Sequence, residues 1–245
     1  MSAIIANAVR ARNERYINRL GEDMGKYLSF LSVMSRFHKY PAEDLASFAM
    51  EAPATFSAVA SAETWERHFR RIIDTKAKGV TLVRDNDRTH YYDVSETVPI
   101  SLGAPEVTLW HYDDTAHRPF LDAVVPGKAD TEAKVSAIVA EQVKGLSARP
   151  ADRRLITLST TAVVLERMGL PASDIIRQIA RLSLNGRNMH NITEQTQKSS
   201  QRILDALQQS VTRGRAEEVD LNLPENKENH GGLLWFTASC EIPPM

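Results

Sequence analysis

Apolar positions recur at three- and four-residue intervals along most of this chain and alternate in only one short region. Over residues 2–38, Ile5, Val9, Tyr16, Ile17, Leu20, Met24, Tyr27, Leu28, Leu31 and Met34 keep the helical interval with charges between them. This predicts one long amphipathic helix, or two broken near Gly21 or Gly25. Pro41 ends the pattern, because its ring disfavours helix in the residue before it. The same proline can open a second helix through Glu43, Leu45, Phe48 and Ala49, which Pro53 closes. Residues 54–60 are short and apolar, and Ser61 ahead of Glu63 and Trp65 reads as the cap of a third helix.

The character then changes. Gly79-Val80-Thr81-Leu82-Val83 and Thr89-His90-Tyr91-Tyr92-Asp93-Val94 are β-branched or aromatic runs joined by Asp85-Asn86-Asp87, the signature of a hairpin. The helices carrying Leu28, Leu31 and Trp65 are expected to back it, with Trp65 buried. Prolines 99, 105, 119 and 126 make residues 99–126 irregular, with a short third strand expected around residues 107–109 and one helical turn near Phe120. Helical periodicity returns over residues 130–146, 151–168, 173–182 and 189–213. From Ala216 onward charge, Asn, Pro and Gly dominate, and a poorly ordered tail is expected. The fold class is therefore α+β: mostly α-helical with one small antiparallel hairpin or sheet, followed by an all-helical part. The expected division is an α+β module over 1–110, a proline-rich connector over 111–127, a helical module over 128–215 and a tail over 216–245.

Composition removes several classes. Thirty basic and 31 acidic side chains leave a formal charge of −1, so attraction to an anionic partner must come from a local patch. The one cysteine, Cys240, has no partner for a disulfide within the chain and no companion at zinc spacing. No stretch approaches the roughly 20 apolar residues of a membrane span. Arg10, Arg12, Glu14 and Arg15 stand where a signal peptide would be apolar. A soluble cytoplasmic protein with no membrane partner is expected.

A search for catalytic chemistry finds no HExxH, no phosphate loop, no GxSxG and no CxxC. His190 has only Glu194 at helical ligand spacing, which reads as a solvated helix contact. His111, Asp113, Asp114 and His117 form the densest set of metal-ligating types, but four ligands within seven residues converge only through a tight turn, and no glycine supplies one. An enzyme would have to use His111, Asp113 and His117 with a metal. The expectation is no enzyme, no cofactor and no metal.

What the chain does concentrate is positive charge. Arg67, Arg70 and Arg71 follow Trp65, Lys76 and Lys78 precede the first strand, and Arg84 and Arg88 bracket the turn, while Arg36, His38, Lys39 and Tyr40 end the first long helix. Cations that neutralise phosphates beside rings on which bases stack are what a single-stranded nucleic acid requires. The alternative for the same residues is a solvated face over a core of Trp65, Phe69 and Tyr92.

The segment from Phe30 to Val98 resembles the domain that opens the very large helicase/methyltransferase proteins of conjugative transposons, and more distantly the N-terminal domain of the ArdC antirestriction proteins. Lys39-Tyr40, Pro53-Ala54-Thr55, Trp65, Arg70-Arg71, Lys76-Ala77-Lys78-Gly79-Val80 and Tyr92-Asp93-Val94-Ser95-Glu96-Thr97 carry the resemblance in order and spacing. The helical stretch at residues 155–169, with Arg167-Met168-Gly169-Leu170, is similar to the next part of those proteins. Met50 and Glu51 stand where the family has Gln and Arg, and Thr75 replaces its glycine; Glu51 removes an anion contact at that spot. The resemblance implies single-stranded DNA binding. The peptidase, helicase and methyltransferase motifs of these proteins are missing, so those activities are not implied.

The resulting expectation is a non-catalytic accessory protein of a plasmid or other bacterial mobile element, serving antirestriction or DNA transfer in conjugation. It would bind nucleic acid, single-stranded DNA above all, through Lys39, Tyr40, Arg67, Arg70, Arg71, Lys76, Lys78 and Arg84. The alternative is a helical interaction protein of such an element that oligomerises through the stripe Ile192, Thr196, Ile203, Leu207 and Val211 without touching DNA.

Overall fold

The computed structural model describes residues 2–212 except 85, 128, 129 and 147. In chain order it runs α1 (Ser2–Arg19), α2 (Met24–Arg36), α3 (Ala42–Glu51), β1 (Val59–Ser61), α4 (Ala62–Phe69), β2 (Arg71–Ile73), β3 (Val80–Arg84), β4 (Asp87–Asp93) and β5 (Thr97–Pro99). It continues with α5 (Asp114–Val124), α6 (Thr131–Lys144), α7 (Pro150–Arg167), α8 (Ser173–Ala180) and α9 (Met189–Thr212). The fold is α+β and mostly helical, with all strand pairing antiparallel. Two compact units divide the chain: Met50–Leu109 lies in one, Ala11–Ala49 and Trp110–Gly214 in the other.

The sheet unit contains a three-stranded sheet of order β1-β4-β3 and a two-stranded ribbon of β2 and β5. Val80 faces Tyr91 and Leu82 faces Thr89 across the hairpin. Since side chains alternate along a strand, Val80, Leu82 and Tyr91 share one face, and all three are buried. On the other face Ala58, Ala60, Tyr92 and Val94 pack against Trp65 and Phe69 of α4, together with Ile73, Val107 and Leu109. Trp65 is fully buried, and its Nε1 donates to the Tyr92 carbonyl at 2.8 Å, which satisfies the indole. Ser61 caps α4 by accepting from the Thr64 amide, and Arg70 ends it in the left-handed region with φ 49°.

Two carboxylates lace the strands together. Buried Asp93 accepts from the amides of Ser57 (2.6 Å), Ala58 (2.9 Å) and Ser95 (2.9 Å) and from the Ser95 hydroxyl (2.6 Å). Glu96 accepts from the amides of Lys78 (3.0 Å), Gly79 (3.2 Å) and Asp93 (3.3 Å). Glu51 accepts from the Thr81 amide at 2.8 Å and so covers part of the open edge of β3.

In the helical unit α7 is central, packing against α2, α6, α8 and α9. Phe37 stacks on Phe48 with centroids 4.5 Å apart, and Tyr40 meets Phe48 edge-on at 4.9 Å. Some polar groups of this core are paired: Tyr27 and Ser159 share a hydrogen bond of 2.8 Å, and Asp152 is held by Arg149 and Arg187, each at 2.7 Å. Lys134, 1% exposed, donates to Asp122 at 2.7 Å and to the Val125 carbonyl at 2.9 Å.

The expected helix break falls at Gly21, where a 3-10 turn, Leu20–Glu22, separates α1 from α2, and Asp23 caps α2 through the Lys26 amide. Leu28 and Leu31, expected to back the hairpin, fall outside the unit that contains it. They belong to the helical unit, where α2 packs on α7. Residues 11–49 thereby leave the module expected over 1–110. Residues 107–109 form no strand, and Val107 and Leu109 instead seal the Trp65 cluster. The turn expected near Phe120 is the 11-residue α5, whose N-cap Asp113 holds the Thr115 and Ala116 amides. β1, β2 and β5, three residues each, went unread because runs that short carry no periodicity. The expected tail over 216–245, with Cys240, lies outside the described residues.

Asp93→Ala is expected to strand several buried amides and destabilise the sheet unit by about 1–3 kcal/mol, read as an earlier midpoint in urea. His38 yields a pH prediction. It is 3% exposed, and burial, then the nearby Arg167 and Lys39 charges, hold its pKa well below 6.5. Below pH 6.5 the unfolded chain takes up a proton that the folded one refuses, so stability falls as pH drops from there toward the lowered folded value. The slope is at most about 1.4 kcal/mol per pH unit, and His38→Asn is expected to remove it from a series of melting curves.

Candidate nucleic-acid interface

Arg70, Lys76 and Lys78 sit on two connections of the sheet unit, from α4 to β2 and from β2 to β3. The left-handed backbone of Arg70 turns the chain out of α4 and leaves its side chain exposed, with no acceptor among the described residues. Arg67, one turn earlier, forms an exposed ion pair with Glu63 at 2.6 Å, worth at most about 0.5 kcal/mol and easily exchanged for another anion. Arg71 is half-buried and committed to the fold, donating to the Thr97 hydroxyl at 2.6 Å and the Thr97 carbonyl at 3.0 Å.

The lysine loop has a fixed backbone and free side chains. Asp74 accepts from the Lys76 amide (2.8 Å) and the Ala77 amide (3.0 Å), while Glu96 holds Lys78 and Gly79. The Lys76 and Lys78 ammonium groups are exposed and meet no partner among the described residues. Gly79 follows with φ +61°; a Cβ there would lie 2.7 Å from the Tyr91 carbonyl and 2.9 Å from the Tyr92 ring. The glycine is what lets the Tyr92 ring lie against the backbone next to Lys78. Tyr92 and His90, two apart on the same face of β4, stack with centroids 6.3 Å apart and planes 29° from parallel, both half-buried.

Besides Arg71, three of the expected residues do not join this set. Arg84 ends β3 four residues beyond Val80, about 13 Å along the strand, and folds onto its own hairpin over the Tyr91 ring with a bond to the Val83 carbonyl. Lys39 and Tyr40 lie in the other unit, 9% and 0% exposed. Lys39 is spent on Asp205 (3.2 Å) and Gln208 (3.1 Å), and Tyr40 on the aromatic cluster with Phe37 and Phe48. Their motif-like spacing marks a helix end that has to be packed. Tyr92, expected in the core with Trp65 and Phe69, does pack against their cluster, and it also stacks on His90, whose ring the alternation along β4 places on the same face.

The loop expected as the best metal candidate is a capping network. Asp113 caps α5, and Asp114 accepts from the Tyr112 hydroxyl (2.6 Å) and the Thr131 hydroxyl (2.9 Å). Burial, then the bond to Asp114, pushes the Tyr112 phenol up to about 12. His117 is buried between the Trp110 and Tyr112 rings with Nδ1 on the Asp113 backbone, whereas His111 is exposed. Among the described residues no three His, Cys, Asp or Glu side chains are grouped to hold a metal. Glu194, expected beside His190, pairs with Lys198 at 2.5 Å. The stripe expected to drive oligomerisation is internal, with Ile192, Thr196, Ile203 and Leu207 all buried within their own unit. No helix among the described residues is long and apolar enough to cross a membrane.

Compared with known proteins, the chain matches no family model, no curated protein and no solved structure.

Elemental analysis of the purified protein is expected to find less than one zinc, manganese or iron per chain, since the carboxylates nearest His111 and His117 are occupied as caps. One tightly held metal per chain would restore the enzyme reading.

Proposed function

We propose that the chain is a non-catalytic nucleic-acid-binding protein whose contact surface is the lysine loop and the α4–β2 junction, with single-stranded DNA as its ligand. The observation that carries this reading is the set of exposed cations Arg70, Lys76 and Lys78, which meet no carboxylate among the described residues although the whole chain carries a charge of −1. Charges with no structural partner, on a backbone held rigid by Asp74 and Glu96, fit a polyanion at little ordering cost. The His90–Tyr92 stack beside Lys78 adds the flat, partly accessible surface on which an unpaired base rests, which favours a single strand over a duplex. The resemblance of residues 30–98 to the conjugative-transposon and ArdC N-terminal domains supports the same ligand. It also supports a cytoplasmic accessory role in antirestriction or DNA transfer for a plasmid or other mobile element.

Phosphate contacts have a diagnostic salt dependence. In a titration with labelled oligothymidylate, Arg70→Ala/Lys76→Ala/Lys78→Ala is expected to weaken binding for all sequences alike. It should also lower the slope of log affinity against log salt by roughly 0.7 per lost contact. Tyr92→Leu is expected to weaken binding with the salt slope unchanged, because stacking releases no counterions. A triple variant with the parent's affinity and slope would show that the charges are only solvated.

A further inference from the structure

The open edge of the β2–β5 ribbon is complementary to itself. Arg70 and Ile100, and Asp74 and Glu96, are joined by backbone hydrogen bonds of 2.8 Å, and Ile72 opposes Val98 between them. The alternation of an antiparallel ladder therefore turns the amides and carbonyls of Ile72 and Val98 toward each other, and those of Arg71, Ile73, Thr97 and Pro99 outward. On that side β5 offers no free donor, since Thr97 donates to the Val94 carbonyl and Pro99 has no N–H. On β2 the outward amides and carbonyls of Arg71 and Ile73 meet no partner among the described residues. The same alternation puts Arg70, Ile72 and Asp74 on one face, which Val98 and Ile100 share. Ile72, Val98 and Ile100 are 52%, 45% and 56% exposed there, with exposed Arg70 at one end of β2 and exposed Asp74 at the other. Arg70 has no acceptor among the described residues, and Asp74 gives one carboxylate oxygen to the Lys76 amide while the other meets no partner among them.

We propose that this edge joins two copies of the chain, β2 antiparallel to β2 about a two-fold axis at Ile72. In that register every outward group of β2 is used, because Arg71 of each copy exchanges both backbone hydrogen bonds with Ile73 of the other. Ile72 faces Ile72 across the axis in the closer, non-hydrogen-bonded kind of pair, which brings the two aliphatic strips together. Arg70 stands directly opposite Asp74 of the second copy, on the same face, and symmetry makes that ion pair twice. Neighbouring axes lose the match. Centred on Arg71, the pairing sets Arg70 against Ile72; centred on Ile73, it sets Arg70 against Lys76. A nucleic acid strand fits this edge less well, since Asp74 repels its phosphates and its bases stack on flat rings rather than on aliphatic side chains. With a three-residue strand at its centre the contact is small, and it gives a concentration-dependent equilibrium rather than a permanent dimer. The pairing stands on the fold alone; under the function proposed above, nucleic acid and the second copy compete for Arg70.

Sedimentation equilibrium of the full chain without nucleic acid, from the micromolar to the millimolar range, tests the pairing. The parent is expected to pass from monomer to dimer as its concentration rises. Ile72→Lys sets like charges across the axis, and Arg70→Asp or Asp74→Arg turns both ion pairs into like-charge pairs. Each is expected to raise the dissociation constant by about tenfold or more. An equimolar mixture of Arg70→Asp and Asp74→Arg is expected to recover the dimer, because every opposed pair in the mixed dimer again has opposite charges. Residue-resolved hydrogen exchange is expected to show the Arg71 and Ile73 amides slowing as the parent is concentrated, with the Ile72 and Val98 amides protected throughout. A parent that stays monomeric would overturn the proposal, as would variants that dimerise like the parent or a mixture that stays monomeric. Protection of Arg71 and Ile73 that ignores concentration, or that arises only with oligothymidylate, would place another occupant on the edge and overturn it too. The salt-slope titration is a separate measurement, so failure of either reading leaves the other standing.

Discussion

The sheet unit depends on Asp93 and Glu96, two carboxylates that between them hold the amides of Ser57, Ala58, Ser95, Lys78, Gly79 and Asp93. With strands of three to seven residues, ladder bonds alone define little. The carboxylates supply what the ladders lack. Asp93 joins β4 to the segment before β1, and Glu96 joins the start of β5 to the loop before β3. A charged acceptor serving several donors makes strong bonds and would be costly to leave unpaired, so the arrangement is closer to all-or-none than a set of separate neutral bonds. The Trp65 cluster adjoins this lacing, since the indole bonds to the Tyr92 carbonyl, one residue before Asp93.

The candidate interface is a by-product of the same lacing. Because Glu96 grips the backbone of Lys78 and Gly79, the lysine loop has a defined course although its ammonium groups meet no partner among the described residues. Because Gly79 has no Cβ, the Tyr92 ring lies directly against that backbone. Cations that serve no other group are thus displayed beside a pair of stacked rings. Arg71 and Arg84 show the opposite fate, since the Arg71 guanidinium is bonded to Thr97 and that of Arg84 lies over the Tyr91 ring with a bond to the Val83 carbonyl.

The helical unit follows a different logic. Its central seam mixes aliphatic residues with Ser159, Thr160, Thr196, Gln197 and Ser200, all buried. Small hydroxyl side chains let α7 and α9 pack closely, and bonds such as Tyr27 to Ser159 favour one register of α2 on α7 over its neighbours. Gln197, which donates to the His38 carbonyl at 2.7 Å, ties the end of α2 to α9 in the same way.

What the sequence determined by itself was whatever a local period or cap encodes. The long helices, the cap at Ser61, the hairpin and the burial of Trp65 were all legible, because each is a repeating or short-range preference of the chain, whereas the break near Gly21 was one of several open alternatives. The concentration of cations between Arg67 and Lys78 was legible for the same reason. Tertiary structure decided which charges were left over. Nothing near Lys39 in sequence announces Asp205 and Gln208, and nothing near Tyr40 announces an aromatic cluster, so both read as exposed until distant segments met. The short strands β1, β2 and β5 were equally hidden. A three-residue run gains its conformation only from a partner strand, and those partners are supplied by β4 and by one another, at separations no local pattern records.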